Sequence, residues 1–260
     1  MSPSNRRIRA IARRDLLAQH RNPGYWFLLL VIPIVDGIMF PSIGGAFGEG
    51  DQPVRLLVSG IMLFHLIWQL TLAGSMGLLE EVWSRNLLNL IATPLTEREF
   101  VGALGLVGAA RTAVSVAMIG VVGVVVHAVE PTAAGWVLLP AAAVLLTFGW
   151  AVTLFVIGLV LQHGDSAEVF SWGTLLLLMP ISGVFYPIEA LPGPLQALAG
   201  VVPLTHVFEA VQHGLRAGEV AWGSIGVAAV GTVVILVAAT AFVRRQVRRF
   251  RSEGWVTRFT

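Results

Sequence analysis

Two ionisable side chains stand where water is scarce. Asp36 falls within the apolar run "YWFLLLVIPIVDGIMFPSIGG" and Arg111 within "VGALGLVGAARTAVSVAMIGVVGVVVH". An isolated charge in hydrocarbon costs about 3 kcal/mol on insertion scales, so each needs a partner or water. Counted from the same membrane side, both lie about a dozen residues into their runs. That depth allows a mutual ion pair, either a staple between two spans or part of a polar substrate path. His206, Glu209 and His213 recur at i, i+3 and i+7, one face of a helix and a spacing that metal ligands also use. An external polar face explains the same spacing, and no metal is expected. His65 and His127 are lone histidines among apolar residues, expected to be satisfied by a neighbouring backbone or helix rather than to catalyse.

The inventory excludes much other chemistry. There is no cysteine, so disulfides, thiolate catalysis and cysteine metal sites are absent. There is no lysine either: all 17 basic residues are arginines, which removes the P-loop lysine and Schiff-base chemistry. The chain cannot by itself be a P-loop ATPase. No H-E-x-x-H or G-x-S-x-G arrangement supports a membrane-embedded hydrolase. A proton-coupled secondary transporter would show more intramembrane acids and inverted repeats.

These residues must be held by membrane helices. Of 260 residues, 56% are apolar and 12% charged, and the mean hydropathy is +0.79. Several runs of about 20 residues match the thickness of a hydrocarbon core. Six spans are predicted, at about 24–44, 54–79, 100–127, 137–161, 168–188 and 221–243. Six arginines precede the first, two lie at 80–99 and six follow the last, against Arg55 and Arg216 on the other side. This asymmetry puts both termini and the 80–99 loop in the cytoplasm. The terminal basic runs each abut an apolar span, so they read as topology signals and not as nucleic-acid patches. No cleaved signal peptide is expected.

Three further segments have recognisable physics. In residues 5–21 the arginines fill about half a helical wheel, while Ile8, Ile11, Ala12 and Leu16, interrupted by Asp15, fill the rest. The expectation over residues 1–23 is an amphipathic helix on the inner leaflet, ending at Asn22-Pro23-Gly24. The loop 189–220 is semi-apolar but broken by proline and glycine, which predicts two short helices, about 193–200 and 204–215, dipping into the outer interface. The stretch "EEVWSRNLLNLIATPLTEREF" at 80–100 places Trp83, Leu87, Leu90 and Ile91 at helical spacing, with Glu81 four residues before Arg85. A short amphipathic helix is predicted there. Pro94 cannot continue it, and Thr96-x-x-Glu99 is a capping box that starts span three.

That stretch resembles the cytoplasmic loop of type-2 ATP-binding-cassette exporter permeases: acidic residues, a Leu-rich helix, a small residue with proline, then the next span. A second segment, "SGVFYPIEALPGPLQALAGVVPLTHVFEAVQHGLRAG", is similar to the family's pattern after its fifth span, with Val202 where Asn is common before Pro203-Leu204. In that pattern Phe185, Pro187, Pro192, Pro203 and the acidic Glu209 occupy the external loop.

The resemblance implies an all-α polytopic membrane protein. It would have an amphipathic interface helix (1–23), a six-span domain (24–243) and a basic cytoplasmic tail (244–260). It implies that the 80–92 segment, with Glu80, Glu81, Trp83, Arg85, Leu87, Leu90 and Pro94, is a coupling helix seated in a separate ATPase subunit. ATP and magnesium would then belong to that partner, and no cofactor to this chain. A second permease copy and membrane lipid are the other implied partners; nucleic acid is not. An amphipathic cargo such as a drug, hydrophobic natural product or lipid is expected, with a polysaccharide or lipid-linked glycan as the alternative. The arginine-only, Ala/Gly/Val-rich usage fits a GC-rich bacterial genome, and so a bacterial plasma membrane.

Overall fold

Helices are the only regular structure among the residues that the computed structural model describes, 3–47, 51–84, 96–128, 136–163 and 168–252. The surface helix α1 (Pro3–His20) ends in a turn where the Asn22 side chain accepts from the Gly24 N–H and opens α2 (Pro23–Trp26). Proline at the first helical position leaves no donor wasted. From α2 the chain passes through a π-helical turn, Phe27–Val31, into α3 (Ile32–Phe47).

That wide turn has a sequence cause. The Ile32 N–H goes back to the Phe27 carbonyl, so the Leu28 carbonyl looks to residue 33 for its donor. Residue 33 is proline and has none. The Gln69 side-chain amide fills the gap, donating to the Leu28 carbonyl at 3.3 Å. A buried polar residue of one helix thus completes the backbone of another.

The remaining long helices are α4 (Gln52–Trp83), α5 (Glu97–His127), α6 (Leu138–His163) and α10 (Trp222–Ser252). With the α2–α3 unit, five helices among the described residues are long and apolar enough to cross a membrane, or six if the bent pair Gly193–Val201 and Pro203–Ala217 forms one span. The predicted capping box opens α5: the Thr96 hydroxyl accepts from the Glu99 N–H at 3.3 Å, and the Glu99 carboxylate from the Thr96 N–H at 2.9 Å. The predicted fifth span, 168–188, is corrected to a shorter helix, α7 (Glu168–Ile181). Gly183, at φ 74°, then turns the chain, and Pro187 caps a 3-10 turn, Ile188–Ala190. Beyond it, α8 (Gly193–Val201) and α9 (Pro203–Ala217) meet at 92°, the two short helices expected from the breakers.

A second difference concerns the basic tail. The residues from 244 onward begin as helix, because α10 runs unbroken to Ser252. At about 1.5 Å per residue, its 31 residues outreach a hydrocarbon core of about 30 Å, which lets Arg244, Arg245, Arg248 and Arg249 stand beyond the apolar layer.

The core forms where α4 and α6 cross, with Ile67, Leu72, Leu145, Val156 and, from α9, Leu204 and Phe208 buried together. Close approach at the crossing depends on Gly149, where a Cβ would lie 3.1 Å from the Ile67 Cα. The small-residue strip of α5 is used within the chain: a Cβ at Gly102 would face Ile8 of α1, at Gly105 the Trp150 ring of α6, and at Gly108 Leu70 of α4. It is a packing strip.

Candidate coupling face and intramembrane polar chain

The first site is built where α1 meets the ends of α4 and α5. Ala12 of α1 is buried against Ala103 and Val107 of α5, with Ile8 and Ile11 packed around them. Burial of this face turns two arginines, seven residues apart and so on one side of α1, toward the bundle. Arg7 pairs with Glu99 in the first turn of α5 at 3.3 Å. Arg14 pairs with both Asp15, at 2.9 Å, and Glu81 in the last turn of α4. Both carboxylate partners of the bundle are buried. Burial pushes the Asp15 carboxyl above its ordinary range, against the opposing pull of Arg14. For Arg14 burial disfavours the charge, but Asp15 and Glu81 outweigh it and raise its pKa. The segment between α4 and α5 is therefore gripped by α1 at both roots.

The predicted coupling residues divide here. Glu80, Glu81 and Trp83 do not start a separate amphipathic helix; they form the last turn of α4, continuous with the span. No glycine or proline stands between Leu78 and Trp83 to stop it. Glu80 is half-buried, Glu81 buried and Trp83 exposed. Arg85, Leu87, Leu90 and Pro94 lie outside the described residues.

The second site is a chain of polar groups inside the bundle. The expected ion pair between Asp36 and Arg111 does not form. Asp36 Oδ2 lies 3.1 Å from Nε2 of His65, and the other ring nitrogen, Nδ1, lies 2.9 Å from the Ser115 hydroxyl. This row ties α3, α4 and α5. His65 and Ser115 are fully enclosed, whereas the Asp36 side chain keeps 26% of its surface open. Arg111 instead stacks on the Tyr25 ring, its guanidinium carbon 5.0 Å from the ring centre, and its Nε has no hydrogen-bond partner. A long side chain on a helix leans toward the helix N-terminus, which carries the guanidinium away from Asp36 and toward Tyr25 at the start of the first span. His127 reaches the Gly37 carbonyl at 3.1 Å, the backbone satisfaction expected of it.

The external-loop residues lie around the α8–α9 bend. Phe185 packs on Phe40 of α3 with ring centres 4.3 Å apart. Pro187 precedes the 3-10 turn, Pro192 precedes α8, and Pro203 begins α9, where it is buried. Glu209 is exposed on α9, 3.7 Å from His206 Nδ1. His206 and His213 turn to the backbone carbonyls of Gly200 and Glu219, and among the described residues no group of three metal-ligating side chains converges.

Sequence comparison decides the family. The model of the ABC-2 type transporter family matches residues 6–215. The chain belongs to the ABC-2 type transporter family. This ABC-2 type chain is also similar to the capsule polysaccharide export inner-membrane protein BexB of Haemophilus influenzae. The two are 30% identical over 118 residues, 42% of this chain and 44% of that protein. The match therefore spans less than half of either. With five or six long apolar spans among the described residues, the chain is a multi-pass membrane component of a transporter.

Sequence reasoning did not reach the roles of Tyr25, Arg7, Arg14 or Ser115. The seven-residue spacing of Arg7 and Arg14 was the readable signal for the clamp, because it matches two helical turns. His65 and Gln69, four apart and polar on an apolar helix, were the signal for the interior chain.

Proposed function

We propose that this chain is the membrane subunit of an ATP-driven exporter, in which the segment between α4 and α5 receives a separate ATPase subunit and a second permease copy completes the path. The observation that carries this reading is the double clamp, Arg7 to Glu99 and Arg14 to Glu81. It makes α1, α4 and α5 one body around the roots of that segment, so force applied there would move two spans and the interface helix together. ATP and magnesium would bind the partner. The arginine asymmetry supports cytoplasmic termini in a bacterial inner membrane.

The expected cargo is amphipathic, a drug, hydrophobic natural product or lipid. A second reading, a polysaccharide or lipid-linked glycan, is favoured by the similarity to a protein named for capsule polysaccharide export.

Co-purification tests the docking. The full chain is expressed with its candidate ATPase, as wild type and with Leu87→Asp, a substitution that leaves the Arg14–Glu81 pair alone. Retention of the ATPase by wild type and its loss from a properly inserted variant is the expected result. If neither form retains an ATPase, the coupled-exporter reading fails.

A further inference from the structure

The bend between α8 and α9 and the turn at 182–189 border a half-open cavity of about 230 Å³. Thr205, Glu209 and Gln212 line it from α9, Gln196 and Gly200 from α8, and Glu189 from the 3-10 turn. Its character follows from where the hydrogens go. The Gln196 amide donates to the carbonyls of Glu189 at 3.2 Å and Leu191 at 2.8 Å. The Gln212 amide donates to the Gly183 carbonyl at 2.9 Å, and the Thr205 hydroxyl to the Ile181 carbonyl at 3.0 Å. Nε2 of His206 lies 2.9 Å from the Gly200 carbonyl. A carbonyl only accepts, so each amide is fixed with its nitrogen on the backbone, and His206 carries its hydrogen on Nε2.

What remains unspent accepts: the Oε1 atoms of Gln196 and Gln212 and the carboxylates of Glu189 and Glu209. No arginine lines the cavity, so a phosphate or an acidic sugar would meet repulsion. Both carboxylates are solvent-exposed, so neither requires a counter-ion, and the other acceptors are neutral. We propose that this cavity binds one neutral sugar ring, whose hydroxyl hydrogens are donated to these acceptors. The assignment rests on the exporter reading, in which the bend faces the outer side and cargo passes it, and it selects the glycan among the cargo classes.

Gly200 supplies the test. A Cβ there meets nothing within 4 Å, so Gly200→Leu places a side chain at the cavity wall without a clash, in a helix that leucine favours over glycine. Gly226→Leu, on α10 and equally open, is the control. The full chain in nanodiscs is titrated with methyl glucoside, galactose and N-acetylglucosamine, read by saturation transfer to the sugar ring protons. The expected result is transfer to at least one sugar, weakened about tenfold or more by Gly200→Leu and unchanged by Gly226→Leu. No transfer to any of the three, or equal transfer in both variants, overturns the proposal. Displacement of the sugar by equimolar calcium also overturns it, since that result makes the oxygen-lined cavity a cation site. Co-purification with the ATPase is scored on the same preparations. No sugar transfer in the wild type with a retained ATPase rejects the cavity and leaves the exporter, whereas sugar binding without an ATPase rejects the exporter.

Discussion

Arg14 of α1 is paired with Glu81 in the last turn of α4. The carboxylate is buried and the arginine half-exposed, so solvent screens the pair and its worth is about 1 kcal/mol. A double-mutant cycle with Arg14→Ala and Glu81→Ala is expected to return a coupling energy of that size. Hydrogen exchange supplies the local readout: the amides of α1 should lose protection in either single variant, while those of α6 should not change. Equal loss in α1 and α6 would mean that the pair holds the whole bundle and is not a clamp on α1.

The pH dependence of that clamp has a definite sign. Burial raises the Asp15 carboxyl above its ordinary value, so the docked helix binds a proton more readily than free α1 does. Between the unfolded value and the raised one, lowering the pH strengthens docking; above that window the burial cost of the ionised group is constant. Glu80, Glu81 and Arg14 act on the same carboxyl or its neighbours, so the Asp15 part is isolated with Asp15→Asn. As the pH falls through that window, the change in protection of α1 amides should be more favourable in the wild type than in Asp15→Asn, the lowered Glu99 carboxyl acting equally in both.

The interior row makes a different kind of prediction. His65→Ala leaves Asp36 and the enclosed Ser115 without their shared partner, which costs about 2 kcal/mol. Asp36→Asn retains an oxygen acceptor for His65 Nε2 and removes an intramembrane charge, so its cost is smaller. Thermal unfolding in detergent should order the three as wild type, Asp36→Asn, His65→Ala, from most to least stable. The reverse order of the two variants would show that the Asp36 charge, and not its hydrogen bond, is what the bundle requires.

Which parts were legible in the sequence follows from the range of each interaction. The Thr96–Glu99 capping box, the two helices of the external bend and the long apolar spans are specified by residues within a few positions of one another, and these agree with the structure. The Asp36–Arg111 pair was inferred from depth alone. Depth says nothing of side-chain direction, and a long arginine on a helix reaches back about a turn, here to Tyr25. The start of the expected amphipathic helix differs for the opposite reason: no breaker precedes Trp83, so Glu80 to Trp83 continue α4, while Leu87 and Leu90 lie outside the described residues. The Arg7 and Arg14 pairs cross 92 and 67 residues of chain, and no local pattern encodes such partners.

Packing at the α4–α6 crossing predicts a contrast between two glycines. Gly149→Leu drives a side chain toward the Ile67 backbone, 3.1 Å from where its Cβ would begin, whereas Gly226→Leu meets nothing within 4 Å. Overpacking of this kind costs about 1 to 3 kcal/mol. The amount of monodisperse protein recovered from membranes should fall sharply for Gly149→Leu and hold for Gly226→Leu.

The π-helical turn gives the most specific expectation. Gln69 donates to the Leu28 carbonyl because Pro33 cannot. Gln69→Leu therefore strands a backbone acceptor in an apolar setting, at a cost of about 1 kcal/mol, in the range of interhelical bonds measured in membranes. Pro33→Ala restores an N–H five residues beyond Leu28, within the reach of the π turn. In that background the Leu28 carbonyl has a local donor, and Gln69→Leu should cost close to nothing. The cycle is read by reversible unfolding in mixed micelles. Equal costs of Gln69→Leu with proline or alanine at position 33 would separate the amide from the turn and leave the wide helix without its sequence cause.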